Sequence, residues 1–260
     1  MPFYIFYTTA NNTTLSLLNK APLLVFFGVA MPFLAFLVAP LFIKLFRVEL
    51  DKQAAFRFCM MYGNTGFLGI PICGMLFGSE GAFYAVMYNF GVTLIIFSFG
   101  VWVLSGGKQN SMRSLLTNPL IWSMILGVIF AVSGIQLPLW ISQPLSTVGN
   151  ATLPIALLVA GAQIGSIPMA KISYTPELIF IIFSKLLLFP GLLLILFLIL
   201  QWHGIDHQVI VLQTATPVGI AATILAKRYG ADGDLPAMST LWATFFSLIT
   251  LPLLVLAFMH

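Results

Sequence analysis

Apolar residues fill this chain in blocks of about 20, the length that spans a ~30 Å hydrocarbon layer. Short clusters of charged residues, Gly, Pro and Asn separate the blocks. The pattern predicts spans near Pro22–Leu45, Ala54–Phe77, Gly81–Leu104, Leu115–Ile135, Leu145–Gly165, Pro176–Leu200, Gln208–Ala226 and Pro236–Phe258. A stub at Met1–Ala10 precedes them and is too short to span. Strict alternation of apolar and polar residues is absent, which argues against a β-barrel. The expected fold is an all-α polytopic membrane protein.

Composition strengthens this picture. Of 260 residues, 60% are hydrophobic and 7% charged, against about 25% charged in an ordinary soluble domain. Such a chain cannot solvate a globular surface, so a soluble domain, a disordered chain and a nucleic-acid partner are excluded; the partner is the lipid bilayer. The formal charge of +4 reports topology. Lys44, Arg47, Lys52, Arg57, Lys108, Arg113, Lys171, Lys227 and Arg228 fall in loops or at span ends on one side of the membrane, and only Lys20 falls on the other. The positive-inside rule then makes the nine-residue side cytoplasmic and places His260 outside. The expected location is the plasma membrane, which in bacteria is the inner membrane. Met1–Tyr7 is apolar, but no basic region precedes it and no cleavage site follows, so no signal peptide is expected.

The acids constrain the chemistry. Glu49, Asp51, Glu80, Glu177, Asp206, Asp232 and Asp234 all lie in loops or at span ends. A carboxylate proton relay at membrane depth is therefore disfavoured. So is an intramembrane enzyme built on paired carboxylates or a metal, because neither the acid/base pair nor the ligands exist. His203 and His207 have metal-compatible spacing but no third ligand, and read as interfacial residues. Cys59 and Cys73 read as buried and reduced. No enzyme activity and no cofactor are expected.

Three landmarks repeat at one offset of 152 residues: Pro2 with Pro154, Asn64-Thr65 with Thr216-Pro217, and Gly78–Gly81 with Gly230–Gly233. An odd number of spans separates the copies, so the second copy would be inverted across the membrane, an arrangement common in secondary transporters. The alternative is coincidence among abundant Gly and Pro. The repeat divides the chain at 1–105, an incomplete first copy, and 106–260, a five-span second copy. The first copy lacks one span and half of another, which suggests a misplaced start or a truncated form.

Two spans are interrupted at matching places. Gly63, Asn64, Thr65, Gly66, Gly69 and Pro71 break the second span, and Thr214, Thr216, Pro217, Val218 and Gly219 break the seventh. Gly and Pro at this density do not make regular helix. Irregular backbone at membrane depth survives only where protein buries it or a cavity exposes it. Each break should leave N–H groups free at the start of a half-helix, with the positive dipole end facing the site. Asn64, Thr65, Thr214 and Thr216 should add side-chain donors. With no acid nearby, the site suits an anion such as a carboxylate. The bland alternative is a pair of kinks in packed helices.

Other polar residues at depth support or line this site. Asn89, Asn150 and Gln163 either line the cavity or bond across helices, the second reading being preferred. Gly161 and Gly165 should allow close helix approach. Lys185 is the one ionised side chain at membrane depth and should face the interior; a counter-charge for an anion and a clamp on backbone carbonyls both remain open. The 24 phenylalanines read as lipid-facing bulk, and Trp102, Trp140 and Trp202 as interfacial belts.

At these same residues the chain resembles the auxin efflux carrier family, which includes the plant PIN exporters and many bacterial permeases. Gly-Asn-Thr-Gly-Phe-Leu-Gly-Ile-Pro at 63–71 and Phe-Gly-Ser-Glu-Gly at 77–81 look like the family's first crossover helix. Ala-Thr-Leu-Pro at 151–154 with Gly-Ala-Gln at 161–163 is similar to its seventh helix. Thr-Pro-Val-Gly-Ile-Ala at 216–221 with Ala-Lys-Arg-Tyr-Gly at 226–230 looks like the second crossover. The resemblance implies inverted five-helix repeats, a scaffold and a transport domain, a homodimer as a candidate assembly, and a substrate carboxylate near Asn64. This chain departs from the family by lacking the first helix and half of the second. Related folds that use sodium have acidic intramembrane ligands, which are missing here. The leading expectation is a secondary transporter of small organic anions working by alternating access; the alternative is a truncated, non-transporting relic or a membrane sensor that keeps the fold.

Overall fold

The computed structural model describes residues 1–11, 15–109, 115–135, 137–165 and 174–258. They form helices α1 (Pro2–Asn11), α2 (Ala21–Phe46), α3 (Gln53–Met61), α4 (Ile70–Ile95), α5 (Pro119–Ser133), α6 (Leu139–Asn150), α7 (Thr152–Gly165), α8 (Pro176–Phe183), α9 (Phe189–Ile199), α10 (Ile205–Thr214), α11 (Ala222–Arg228) and α12 (Asp234–Phe258). Among the described residues the one β-type pairing is a single antiparallel bridge, Gly63 with Val218. The protein is an all-α membrane protein. Among the described residues, four helical runs are long and apolar enough to cross a membrane: Ala21–Phe46, Thr65–Leu104, Pro176–Ile199 and Asp234–Ala257.

Local sequence sets the helix ends. Proline occupies the first turn of α2, α5 and α8, where its missing N–H costs nothing. The Asn118 side chain accepts from the Leu120 N–H at 3.0 Å to start α5, and Gly134 stops it at φ 68°. Thr175 caps α8 through the Leu178 N–H. Pro176–Ile199 passes from α8 to α9 through a π-helical turn at Ser184–Leu188, and a second such turn, Ile96–Gly100, prolongs α4 towards Leu104.

Two boundaries differ from expectation. Between the second and third predicted spans, the helical run is broken at the single residue Gly78, with φ 66° and ψ −151°, a conformation that favours glycine. The span expected at Leu145–Gly165 is two helices meeting at Ala151, and the first begins at Leu139. Ser142-Gln143-Pro144 interrupts the apolar block there, but Gln143 is exposed and the buried Ser142 hydroxyl bonds back to the Leu139 carbonyl of its own helix at 3.5 Å.

Helix contacts rest on small residues, though not on the expected pair. A Cβ on Gly28 would overlap the Tyr88 carbonyl, and one on Gly91 the Val25 carbonyl, so α2 and α4 touch backbone to backbone. Gly127 lies against Thr9 and Gly149 against Tyr4, which seats α1 on α5 and α6. At Gly161 and Gly165 a Cβ would meet nothing within 4 Å among the described residues. Spacing alone therefore misassigned the close approach, because it does not say which face has a neighbour.

Phenylalanine also departs from expectation. Phe56, Phe58, Phe83 and Phe197 are fully buried, and Phe42 stacks on Phe180 at 3.8 Å between ring centroids. Lipid and protein core are both apolar, so composition cannot separate them. Trp102 and Trp140 are exposed, whereas the Trp202 indole donates to Asp206 at 3.1 Å. Asp206 also pairs with Lys20 at 2.9 Å, tying the entry of α2 to the start of α10. Cys59 and Cys73 are buried free thiols.

Candidate functional site

The two interrupted spans meet. Between α3 and the π-helical turn Thr65–Gly69, residues 62–64 leave the helix; between α10 and α11, residues 215–221 do so. The stretches run antiparallel. The Asn64 N–H donates to the Pro217 carbonyl at 2.7 Å, and the Gly219 N–H to the Tyr62 carbonyl at 3.1 Å. Glycine is needed for this approach. A Cβ on Gly63 would stand 2.6 Å from Thr216 Oγ1. One on Gly219 would clash with the Tyr62 ring, and one on Gly69 with the Gln213 side-chain oxygen. Pro71 falls in the first turn of α4.

These contacts alter the expected supply of donors. The N–H groups of Asn64 and Gly219 are not free, because each break satisfies the other. The three threonines are engaged as well. Thr65 Oγ1 donates to Asn89 Oδ1 at 2.8 Å, Thr214 Oγ1 to the Ile210 carbonyl at 2.8 Å, and Thr216 Oγ1 to the Gln213 carbonyl at 2.7 Å. A threonine has one hydroxyl proton, so the Tyr88 phenol must donate to Thr214 across their 2.8 Å contact. Asn64 is different: it is 7% exposed, and its side chain does not cap the helix that follows. The Thr65, Gly66 and Phe67 N–H groups open that helix and have no intrahelical acceptor. Val218 carries the bridge to Gly63 and is fully buried.

Lys185 lies at the same place. It sits in the π-helical turn Ser184–Leu188, is 6% exposed, and its Nζ would be 3.1 Å from a Cβ on Gly63. With Gly63, Thr65, Tyr88, Gln213 and Thr214 it lines a cavity of about 10 Å³, the size that holds one water. Gln213 is completely buried; its amide donates to the Ala85 carbonyl at 3.2 Å, and its oxygen has no donor among the described residues. Gln213, Tyr88 and Tyr62 were missed by sequence reasoning. A glutamine mid-span, one residue before an expected break, was the available signal.

The remaining predicted residues divide. Asn89 bonds across to Thr65, as a residue joining elements should. Asn150 is exposed, bonds within its own helix to Ser146 at 3.4 Å, and lines an open cleft of about 430 Å³ with Tyr4, Tyr7, Thr8, Ser79 and Thr152. The Gln163 side chain lies outside the described residues. Gly66 packs against Met1 and Asn89.

An all-α membrane protein whose interrupted spans pair through their backbones at a buried polar centre is of the transporter class in architecture. A family model described as membrane transport protein matches residues 1–111 and 106–255, and the chain belongs to that family, in keeping with the auxin efflux carrier resemblance. It is 30% identical over 194 residues to an uncharacterized transporter of Methanothermobacter thermautotrophicus, covering 73% of this chain and 63% of the relative. It is 26% identical over 264 residues to an uncharacterized transporter of Methanocaldococcus jannaschii, covering 97% and 84%. With the uncharacterized transporter YfdV of Escherichia coli it shares 25% identity over 178 residues, 64% of this chain and 55% of that one. The chain thus spans under two thirds of the length of the first and third of these relatives.

Proposed function

We propose that this protein is a secondary carrier of small organic anions, carboxylates above all, working by alternating access. The supporting observation is the crossing itself: two broken spans joined at 62–64 and 217–219, in an apolar interior whose acids lie at span ends and loops. The substrate carboxylate takes the Asn64 amide and the first-turn N–H groups of Thr65, Gly66 and Phe67, at the positive end of the half-helix. Gly63, Gly69, Thr214, Thr216, Pro217, Val218 and Gly219 hold the crossing in shape. The two inverted repeats, 1–105 and 106–260, would supply the two access states. The Lys/Arg-rich loops face the cytoplasm, the C-terminus lies outside the plasma membrane, and the assembly to test is a homodimer.

Uptake of labelled mono- and dicarboxylates into proteoliposomes tests the reading. The expected result is saturable uptake of at least one, competed by the same unlabelled acid. Folded protein that carries none of the panel in either direction would overturn the carrier and favour a non-transporting protein that keeps the fold.

A further inference from the structure

Lys185 is the feature that the backbone-and-Asn64 site leaves unexplained. It is a cation in the middle of a membrane-spanning run, 6% exposed. Such a group is expensive in a bilayer interior and persists where it serves an ion or a partner. Among the described residues no carboxylate pairs with it: the ion pairs found are Lys20 with Asp206 and Lys52 with Glu49. Nor does any backbone carbonyl accept from its Nζ among the described residues. Among the described residues the titratable groups around it are the Cys59 thiol of α3 and the Tyr88 phenol of α4, neither of them a carboxylate.

Its position is specific. The Nζ stands against Gly63, the residue that carries the backbone bridge between the two breaks. Two π-helical turns converge here, Thr65–Gly69 and Ser184–Leu188, and such turns recur at functional sites. The water-sized cavity beside Nζ matches one carboxylate oxygen in size. We propose that Lys185 is the cation that pairs with the substrate's carboxylate at the crossing and makes the carrier prefer an anion over its neutral analogue. The inference rests on the carrier reading above and names the group that recognises charge there. One carboxylate oxygen enters beside Nζ while the other meets Asn64 and the half-helix N–H groups. Admission of the rest of the substrate requires the wall formed by Met31, Pro32 and Ala35 of α2 to part from the crossing.

The test compares wild type with Lys185→Met, Lys185→Gln and Lys185→Arg in proteoliposomes, using labelled malonate and labelled acetate, with malonamide and acetamide as neutral competitors. A charge-assisted hydrogen bond outweighs a neutral one, so the Met and Gln variants should raise the half-saturation concentration about tenfold or more. In those variants the amides should compete nearly as well as the acids. Lys185→Arg keeps the charge and should keep the preference for acids. Half-saturation and competition unchanged in a folded Lys185→Met or Lys185→Gln protein would overturn the role of Lys185 while leaving the carrier intact. Failure of both neutral variants to fold, with Lys185→Arg intact, would mark a structural cation and overturn it too. Wild type that carries neither acid, nor any other carboxylate of the wider panel, would instead remove the carrier reading beneath it.

Discussion

The two breaks reach one crossing by different means. The first is built on glycine: Gly63, Gly66 and Gly69 each face a group that would collide with a Cβ. Its chain leaves helix for three residues and resumes at Thr65, where the Asn64 carbonyl accepts from both Leu68 and Gly69 at 3.2 and 3.1 Å. The second is built on Pro217 and folded-back hydroxyls. Its chain stays out of helix from 215 to 221, and the helix that resumes, α11, has seven residues. One glycine, Gly219, suffices there to clear the Tyr62 ring. The first break thus brings a helix N-terminus and an uncapping Asn64 close to the centre. The second supplies the frame against which that N-terminus is held. Extra side-chain volume should damage the first break most, and restored helix the second.

Gly69→Val should have the largest effect. Its branched side chain would displace Gln213, whose amide anchors α10 to the Ala85 carbonyl. Overpacking of this kind costs about 1–3 kcal/mol or more, read as a lower melting temperature and lost uptake. Gly161→Ala, with open space at its Cβ, is the matched control and should leave melting unchanged. Equal melting for both variants would remove the first break's dependence on close approach.

Pro217→Ala should act next. A helix-interior proline costs about 3 kcal/mol, and its removal lets α10 extend across the break. Uptake should fall while the protein stays folded, and backbone hydrogen exchange should slow between Ala215 and Gly219. Unchanged exchange with unchanged uptake would show that the pairing with Tyr62 and Asn64 alone holds the second break open.

Asn64→Ala should be the mildest. It removes a neutral hydrogen bond worth about 0.5–1.5 kcal/mol, so substrate affinity should weaken by roughly threefold to more than tenfold with little change in melting. Full affinity in a transporting Asn64→Ala protein would shift anion recognition away from the first break. Sensitivity of Thr216→Ala to the same degree would erase the difference between the breaks.

Much of this was legible along the chain because a bilayer imposes a strong rule. Backbone polar groups in lipid must be satisfied internally, so long apolar blocks could only be helices, and the two places where Gly, Pro, Asn and Thr interrupt them had to be special. The start of α6 at Leu139 escaped notice because Ser142-Gln143-Pro144 looks like loop. The close approach was sought at Gly161 and Gly165 and found at Gly28 and Gly91, since every glycine pair looks alike until a neighbouring helix is in place.

The sequence by itself determined the class of fold, the membrane setting and the positions of both breaks, because hydrophobic length and helix-breaking residues act locally and need no partner to be recognised. Only the tertiary structure decided how the breaks use each other. Residues 62–64 and 217–219 are far apart in the chain, and their pairing consumes N–H groups that local reasoning left free. It likewise decided that Thr65, Thr214 and Thr216 direct their hydroxyl protons inward to Asn89, Ile210 and Gln213, and that Lys185 stands beside Gly63 with no carboxylate partner among the described residues. A hydrogen bond or a charge pair depends on distances of a few ångströms between elements, and those are fixed only when the helices pack.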